Sequence, residues 1–220
     1  EGCYIIVDWH SHLLHTEAAC QFFSTVATRY KGVPNVIYEI YNEPVCQSFE
    51  DSRTHDDLGD TEAMQAYWKT LKEYANAVIA AITAVDDSNP LILMGCPSWD
   101  QRLELPAQDP IEGYDNLMYT MHFYAATHEA WLRDVTDYAI KCGRPVFITE
   151  CAGTEASGDV DEWKEYTEWA ESRGLSVVTW SISDKNETCS MLTPEASDGG
   201  PWDDAVIKPW GKMVKEWLNK

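Results

Sequence analysis

The sequence predicts an α/β fold, a TIM-type β/α barrel, from the order of its elements and from the residues that end its strands. Short apolar runs alternate with helical patterns along the 220 residues, which is typical of a parallel sheet covered by helices. The runs are apolar throughout, as expected for strands buried on both faces. A doubly wound open sheet would share these features. Polar or aromatic residues at the ends of nearly all the runs favour the barrel, whose functional residues come from many strand ends.

The elements of the N-terminal half follow from apolar runs and helical spacing. The β-rich run 4–8 predicts the first strand, and a helical pattern over 17–30 follows it. The apolar run 35–41 predicts the second strand. A long helical pattern covers 61–84, and a short apolar run over 91–94 predicts the third strand.

The C-terminal half continues the alternation after a loop that contains Pro97 and Trp99. The remaining elements are predicted as strands over 116–122, 146–150 and 175–180 and as helices over 128–142, 160–173 and 203–218. Gly143 and Gly174 stand where two of these helices end, because glycine readily adopts the left-handed conformation that closes a helix.

Six predicted strands are too few to close a TIM-type barrel, which has eight. Because the first strand begins near residue 4, we expect residues 1–220 to form a single incomplete barrel domain of about six βα units that lacks the first two. The edges beside the first and last strands would meet water, and unpaired edges recruit other strands. We therefore expect a partner, either a second copy of the chain (a homo-oligomer) or an N-terminal segment that completes the barrel. The alternative is a six-stranded variant that seals its own opening.

The composition restricts the class of partner. The formal net charge of -21 argues against nucleic acid or an anionic membrane, because phosphate groups are bound by clustered lysine and arginine. A neutral substrate is compatible with this charge, although solubility alone would explain it equally well. Ten tryptophans and eleven tyrosines supply flat apolar faces on which sugar rings stack, although many of these rings will lie in the core.

Cysteine and histidine spacing predicts no metal site. The seven cysteines form no C-x-x-C pair and therefore no zinc signature. Buried free thiols are the expected state, and one or two disulfides are the alternative in a secreted protein. His10, His12 and His15 are clustered, but no carboxylate at ligand spacing accompanies them. We expect neither a metal nor a cofactor.

Two glutamates end strands in similar surroundings and carry the functional prediction. Glu43 follows the run 35–41 within Asn42-Glu43-Pro44, and Glu150 ends the run 146–150. Each could cap a helix or pair with a cation. Two strand-terminal carboxyls about 5 Å apart are what double-displacement glycoside hydrolysis requires, since one protonates the leaving sugar oxygen and the other attacks the anomeric carbon.

Five motifs in register resemble glycoside hydrolase family 5. They are Asp8-Trp9-His10, Tyr41-Asn42-Glu43-Pro44, Met121-His122-Phe123-Tyr124, Ile148-Thr149-Glu150 and Val178-Thr179-Trp180-Ser181. The likeness is to the bacterial-type endo-β-1,4-glucanases (cellulases) of that family, and it corresponds to their third through eighth βα units. The resemblance implies a secreted, extracellular enzyme that hydrolyses cellulose-type β-glucan with retention of configuration.

The resemblance also implies roles for the residues at the strand ends. Glu43 would be the general acid/base and Glu150 the nucleophile. Tyr124 would place a hydroxyl near Glu150, and His122 would lie close to the pair. Asn42 would donate a hydrogen bond to the substrate 2-hydroxyl.

Further residues would shape the sugar sites by the same resemblance. His10 would form part of the floor, Trp180 the platform under the cleaved sugar, and Trp99 a stacking surface on the leaving-group side. Lys185 and Glu187 would bind a sugar on the non-reducing side. The alternatives are core positions for His10 and His122, loop packing for Trp99, and one surface ion pair for Lys185 with Glu187.

The chain departs from the family pattern because it has no counterpart of the family's second strand. It therefore has no arginine at that position to orient the nucleophile. The aromatic residues of the family's first strand are missing as well. Three alternatives stay open: a related β-mannanase, xyloglucanase or mixed-linkage glucanase; a weakly active or non-catalytic β-glucan-binding remnant; and an unrelated barrel enzyme that uses His10 and His122 for proton transfer.

Overall fold

The computed structural model describes residues 2–45, 61–153 and 160–220. Five parallel strands in these ranges form one sheet in chain order. They are β1 (Ile5–Asp8), β2 (Val36–Glu39), β3 (Ile92–Met94), β4 (Leu117–Tyr124) and β5 (Val146–Ala152). The α/β class and the parallel sheet are confirmed, and five strands are fewer than the eight of a closed barrel.

Seven helical segments within the described ranges connect or follow the strands. They are α1 (Thr16–Arg29), α2 (Thr61–Thr83), α3 (Pro97–Asp100), α4 (Glu104–Gln108), α5 (Ala125–Lys141), α6 (Val160–Ser172) and α7 (Pro209–Leu218). The two short segments α3 and α4 lie between the third and fourth predicted strands, where the sequence predicted no helix. None of the helices in the described ranges combines the length and apolarity needed to cross a bilayer.

The chain divides into two compact units, and the first consists of residues 1–121 and 135–147. Helix α1 packs against α2 there, with Phe23 and Leu71 fully buried. Parallel pairing places Asp8 opposite Glu39 at the ends of β1 and β2. The buried Tyr74 hydroxyl donates a hydrogen bond to the Ile40 carbonyl at 2.6 Å, which ties α2 to the chain that leaves β2.

The second unit consists of residues 122–134 and 148–220 and has an aromatic core. Phe123 stacks on Tyr166 with ring centroids 3.9 Å apart and an interplanar angle of 11°. Trp163 meets Trp210 and Trp217 of α7 edge to face at 4.8 and 5.7 Å. Rings of this size bury large apolar areas, so these contacts fix α7 against α6.

The segment 175–180, predicted as a sixth strand, lies beside β5 but makes only one isolated parallel bridge, Ile148 with Val177. The Ile148 amide donates to Ser176, and the Val178 amide donates to the Ile148 carbonyl. The Trp180 amide then donates to Cys151, one residue beyond the regular register, and this slip ends the ladder. The last helix also begins at Pro209, six residues later than predicted.

Gly211 in α7 should tolerate no side chain. A Cβ there would lie 2.7 Å from the Met191 carbonyl oxygen and 2.9 Å from the Ile207 side chain. We expect Gly211→Ala to destabilise the protein by about 1–3 kcal/mol, the usual cost of overpacking. Gly199→Ala is the matched control, since a Cβ at that position meets no atom within 4 Å. Urea unfolding of both variants measures the difference, and equal stabilities would contradict the proposed packing of α7.

Candidate active site

Glu43 follows β2 in the first unit, and its backbone has an unusual conformation. The Asn42 amide donates to the Trp9 carbonyl and the Val45 amide to the His12 carbonyl, so hydrogen bonds hold both sides of the turn. At Glu43 φ is 46°, in the left-handed region that side chains rarely adopt. The Glu43 side chain is 14% exposed. A carboxyl at this position is accessible to a ligand, while its main chain is fixed.

The side chain of Asn42 carries a buried hydrogen-bond donor, the nitrogen Nδ2. Its residue is 2% exposed, and its Nδ2 has no hydrogen-bond partner among the described residues. Buried polar groups are nearly always hydrogen-bonded, so an amide in this state suits a donor that awaits a ligand oxygen.

Two histidines lie close to the ends of β1 and β2. His10 Nδ1 lies 2.7 Å from the Asp8 carboxylate, which fixes the ring, while half of the His10 side chain is exposed. His12 Nδ1 lies 3.2 Å from the Glu43 carbonyl oxygen and 3.7 Å from its carboxylate. His10 is therefore not the satisfied core histidine of the alternative interpretation, and His12 belongs with Glu43.

Trp99 lies in α3, where Ser98, Trp99 and Asp100 all have left-handed backbones with φ of 59°, 54° and 60°. Trp99 is half-buried, whereas Asp100 is fully buried. The Asp100 carboxylate accepts hydrogen bonds from the Glu43 and Cys96 amides. This turn presents the indole of Trp99 and places a carboxylate against the main chain of Glu43.

Glu150 lies near the end of β5 in the second unit and is 6% exposed. The Tyr124 hydroxyl, at the end of β4, donates a hydrogen bond to Glu150 Oε1 at 2.6 Å. A hydrogen bond from a neutral donor stabilises the ionised carboxylate and fixes its orientation. The arrangement suits a group that must act as an anion.

His122 is also buried in this unit, with 1% of its surface exposed. Its Nε2 lies 2.9 Å from the Thr149 hydroxyl, one residue before Glu150. The contact orients the imidazole beside the end of β5. Sequence reasoning placed His122 in the site but did not single out Thr149.

Cys151 directly follows Glu150, and its thiol is held in the protonated form. Burial raises the pKa of this thiol well above its ordinary value, and the negative charge of Glu150 adds to the rise. The thiol donates to the Val178 carbonyl at 3.3 Å, a contact that requires the proton. Since the thiolate is the nucleophilic form of cysteine, Cys151 is a packing residue here.

Trp180 is half-buried and follows the bridge beside β5. Its amide donates to the Cys151 carbonyl at 2.7 Å, and its own carbonyl accepts from the Trp210 indole at 2.7 Å. The peptide bond between Trp180 and Ser181 is cis. The two hydrogen bonds fix the main chain of Trp180 and so the position of its indole.

Lys185 and Glu187 lie in an exposed loop after Trp180. The Lys208 ammonium donates to both of their carbonyl oxygens, at 2.8 and 3.0 Å, and holds the loop. In the described part of the chain no ion pair joins the Lys185 and Glu187 side chains, in contrast to the alternative interpretation. Both side chains are exposed, and the Cys189 thiol donates to the Glu187 carboxylate at 3.9 Å.

The predicted site residues fall into two groups, each within one unit. The first group is His10, Asn42, Glu43 and Trp99, and the second is His122, Tyr124, Glu150, Trp180, Lys185 and Glu187. Members of these groups are also contacted by the side chains of residues that were not predicted as site residues, among them Asp8, His12, Asp100 and Thr149. Asp8 and Thr149 stand within the family-like motifs and His12 within the histidine cluster, whereas the only sequence signal for Asp100 was its position beside Trp99.

Comparison with known proteins identifies relatives over nearly the whole chain. Residues 1–186 match the sequence model of the family described as Cellulase (glycosyl hydrolase family 5). An endoglucanase of Clostridium saccharobutylicum is 35% identical over 225 residues, which cover 98% of this chain and 46% of that enzyme. The chain thus spans about half the length of this curated relative.

Solved structures give the same result. A protein from Cytophaga hutchinsonii superimposes with a TM-score of 0.84 at 35% identity, covering 99% of this chain and 67% of that one. The catalytic domain of the Thermobifida fusca endoglucanase Cel5A in complex with cellotetraose gives a TM-score of 0.82 at 27% identity, covering 100% of this chain and 70% of that one. The fold of this chain corresponds to a large part of a TIM-type barrel.

Cys151 should resist modification in the folded protein, in contrast to the partly exposed Cys142. We expect iodoacetamide at pH 8 to label Cys142 and to leave Cys151 unmodified, because the Cys151 thiol is buried and its pKa is raised. In denaturant both should react. Peptide mass spectrometry measures the labelling, and native labelling of both at one rate would show that Cys151 is accessible.

Proposed function

We propose that this chain, which belongs to glycosyl hydrolase family 5, hydrolyses cellulose-type β-1,4-glucan as a retaining endoglucanase. The observation that carries the proposal is the buried Glu150 carboxylate, fixed by the Tyr124 hydroxyl at 2.6 Å. The chain spans only part of its relatives, so the activity of the whole protein is part of the proposal.

In the first step Glu150 acts as the nucleophile. Its ionised oxygen attacks the anomeric carbon, the bond to the leaving sugar oxygen breaks, and a covalent glycosyl-enzyme ester forms. The Tyr124 hydrogen bond supports this role because it favours the carboxylate over the carboxylic acid.

Glu43 acts as the acid in the first step and as the base in the second. It gives its proton to the departing oxygen and later takes a proton from the water that attacks the ester. The free carboxylate of Glu150 is then restored, and the sugar keeps its original configuration. The proposal requires both carboxyls to face one sugar, about 5–5.5 Å apart as in other retaining enzymes.

Asn42 supplies the contact that strengthens in the transition state. Its buried Nδ2, which has no hydrogen-bond partner in the described residues, would donate to the 2-hydroxyl of the sugar being cleaved. A hydrogen bond that improves as charge develops lowers the barrier and does not merely tighten binding. His10 hydrogen-bonds to the Asp8 carboxylate and His122 hydrogen-bonds with the Thr149 hydroxyl, and the two oriented rings would shape the walls around the same sugar.

The tryptophans and the loop residues would bind the sugars on either side. Trp180 is the proposed platform under the cleaved sugar and Trp99 the stacking surface on the leaving-group side, because indole faces match the apolar faces of glucose. Lys185 and Glu187, both exposed, would hydrogen-bond a further sugar. Cellotetraose in the Thermobifida fusca complex favours a β-1,4-linked glucose chain over mannan as the substrate.

We further propose that the protein acts outside the cell. Its substrate is a polymer that cannot enter, and the formal charge of -21 favours solubility and weak binding to anionic surfaces. A partner that completes the barrel, either a second copy or a further segment, stays part of the proposal.

Glu150→Gln should abolish turnover while glucan binding persists. The amide cannot attack the anomeric carbon, so we expect kcat to fall by roughly 10³-fold or more, with a small change in the Kd of cello-oligosaccharides. Glu165→Gln is the control in the same unit, since that side chain is an exposed partner of Arg133. Reducing-end release and calorimetry measure the two quantities. Near-normal activity of Glu150→Gln would exclude it as the nucleophile.

Glu43→Gln should affect substrates according to their leaving groups. We expect kcat/KM to fall about 10²–10⁴-fold for phenyl cellobioside, whose leaving group needs a proton, and to change little for dinitrophenyl cellobioside. Steady-state kinetics on the two glycosides measure the ratio. Equal losses on both would contradict the acid role.

A further inference from the structure

We infer that Asp100 is a positioning residue for the acid/base: a buried carboxylate that holds the main chain of Glu43 in the conformation that directs its carboxyl to the glycosidic oxygen. The inference rests on the proposed function of Glu43. It assigns a role to a residue that contacts neither the substrate nor the reacting atoms.

The hydrogen bonds of Asp100 are its first support. Asp100 is 0% exposed, and its Oδ2 accepts the Glu43 amide at 3.1 Å while its Oδ1 accepts the Cys96 amide at 2.6 Å. An ionised carboxylate is costly to bury unless several donors solvate it, and charge-assisted hydrogen bonds are the stronger ones. Each carboxylate oxygen therefore accepts a main-chain hydrogen bond, and one of these bonds comes from Glu43.

The two hydrogen bonds differ in range. The bond to Cys96 is local, and together with the bond from the Asp100 amide to the Cys96 carbonyl it closes the turn of α3. The bond to Glu43 joins residues 57 positions apart and is unnecessary for that turn. A residue that only stabilised α3 would need the first bond alone.

The conformation of Glu43 explains why such support is needed. Its φ of 46° is disfavoured for a residue with a side chain, and surrounding structure must impose it. The Asp100 carboxylate anchors the Glu43 amide, which lies on one side of this φ torsion. His12, near the carbonyl of the same residue, contacts the other end of this unit of main chain.

Close packing leaves Asp100 little freedom. A Cβ at Gly95 would come within 2.5 Å of the Tyr41 carbonyl, 2.7 Å of Asp100 Oδ1 and 2.7 Å of the Pro44 ring. Only glycine at position 95 admits the carboxylate so near the turn that carries Glu43. Three consecutive left-handed residues, 98–100, bring Asp100 to this position, and strain of this kind concentrates at functional sites.

Asp100→Asn tests the inference because it keeps the shape of the side chain. An amide has one acceptor oxygen, so one of the two N–H groups that face it meets an NH₂ group and loses its acceptor. Asp100→Ser removes the charge without adding that donor, and serves if the asparagine variant does not fold. Asp86→Asn is the matched control, since Asp86 is 1% exposed and also accepts two backbone amides, those of Gly32 and Ser88, away from the site.

The experiment compares kcat/KM on two cellobiosides and measures trapping by dinitrophenyl 2-deoxy-2-fluoro-cellobioside. For the Asp100 variants we expect kcat/KM on phenyl cellobioside to fall at least about tenfold, because a small misplacement of a catalytic group is costly. We expect less than about twofold change on dinitrophenyl cellobioside, whose leaving group needs no proton. Trapping on Glu150 should persist, since it needs the nucleophile alone, and Asp86→Asn should change neither ratio nor trapping.

The outcomes separate the inference from the function on which it rests. The role of Asp100 is overturned if its variants lose kcat/KM equally on both glycosides, or if their ratio of kcat/KM on the two glycosides equals that of Asp86→Asn. A selective loss in Glu43→Gln would still support the acid role of Glu43 in that case. Failure of both Asp100 variants to trap the inhibitor would make Asp100 a purely structural residue and also overturn it. If Glu43→Gln itself shows no selectivity, the acid role falls first.

Discussion

Parallel pairing of the strands is the constraint on which the candidate site depends. It sets Asp8 of β1 opposite Glu39 of β2, and Glu39 opposite Leu93 of β3, so the chains that leave these strands emerge at one edge. The residues that follow, among them His10, Glu43 and Trp99, are grouped for that reason. A slip of one residue would turn every side chain of a strand to the opposite face of the sheet and disperse the group.

Buried polar groups give each part of the site a single geometry. A buried carboxylate accepts hydrogen bonds in each unit. Asp100 accepts two main-chain amides in the first unit, and Glu150 accepts the Tyr124 hydroxyl in the second. In one case the charged group supports a neighbour, and in the other it is the proposed reactant. Their different surroundings, main-chain amides against a side-chain hydroxyl, match these different tasks.

Apolar periodicity was sufficient to predict most of the fold. The strands β1 to β5 and the long helices lie where the runs placed them, because burial on a sheet or against a helix leaves a pattern in the sequence. The segment 175–180 has the same apolar character, yet a one-residue slip at Trp180 reduces it to a bridge. Register depends on hydrogen bonds between distant residues, and composition does not record it.

The site was predictable in part for a similar reason. Residues that resemble a family motif, such as Asn42 and Tyr124, could be named because chemistry restricts what stands there. The role of Asp100 could not be predicted, because it depends on three consecutive left-handed residues and on a contact with a residue 57 positions away. A negatively charged residue beside Trp99 looks like a surface residue until the backbone turns it inward.

The ammonium of Lys208, which holds the carbonyls of Lys185 and Glu187, also stands at the N-terminal boundary of α7. One cation therefore couples the start of the terminal helix to a loop more than twenty positions earlier in the chain. Residues packed along α7 can therefore adjust how that loop is presented. Sequence variation in this helix is thus a route by which the loop is repositioned while Lys185 and Glu187 themselves stay unchanged.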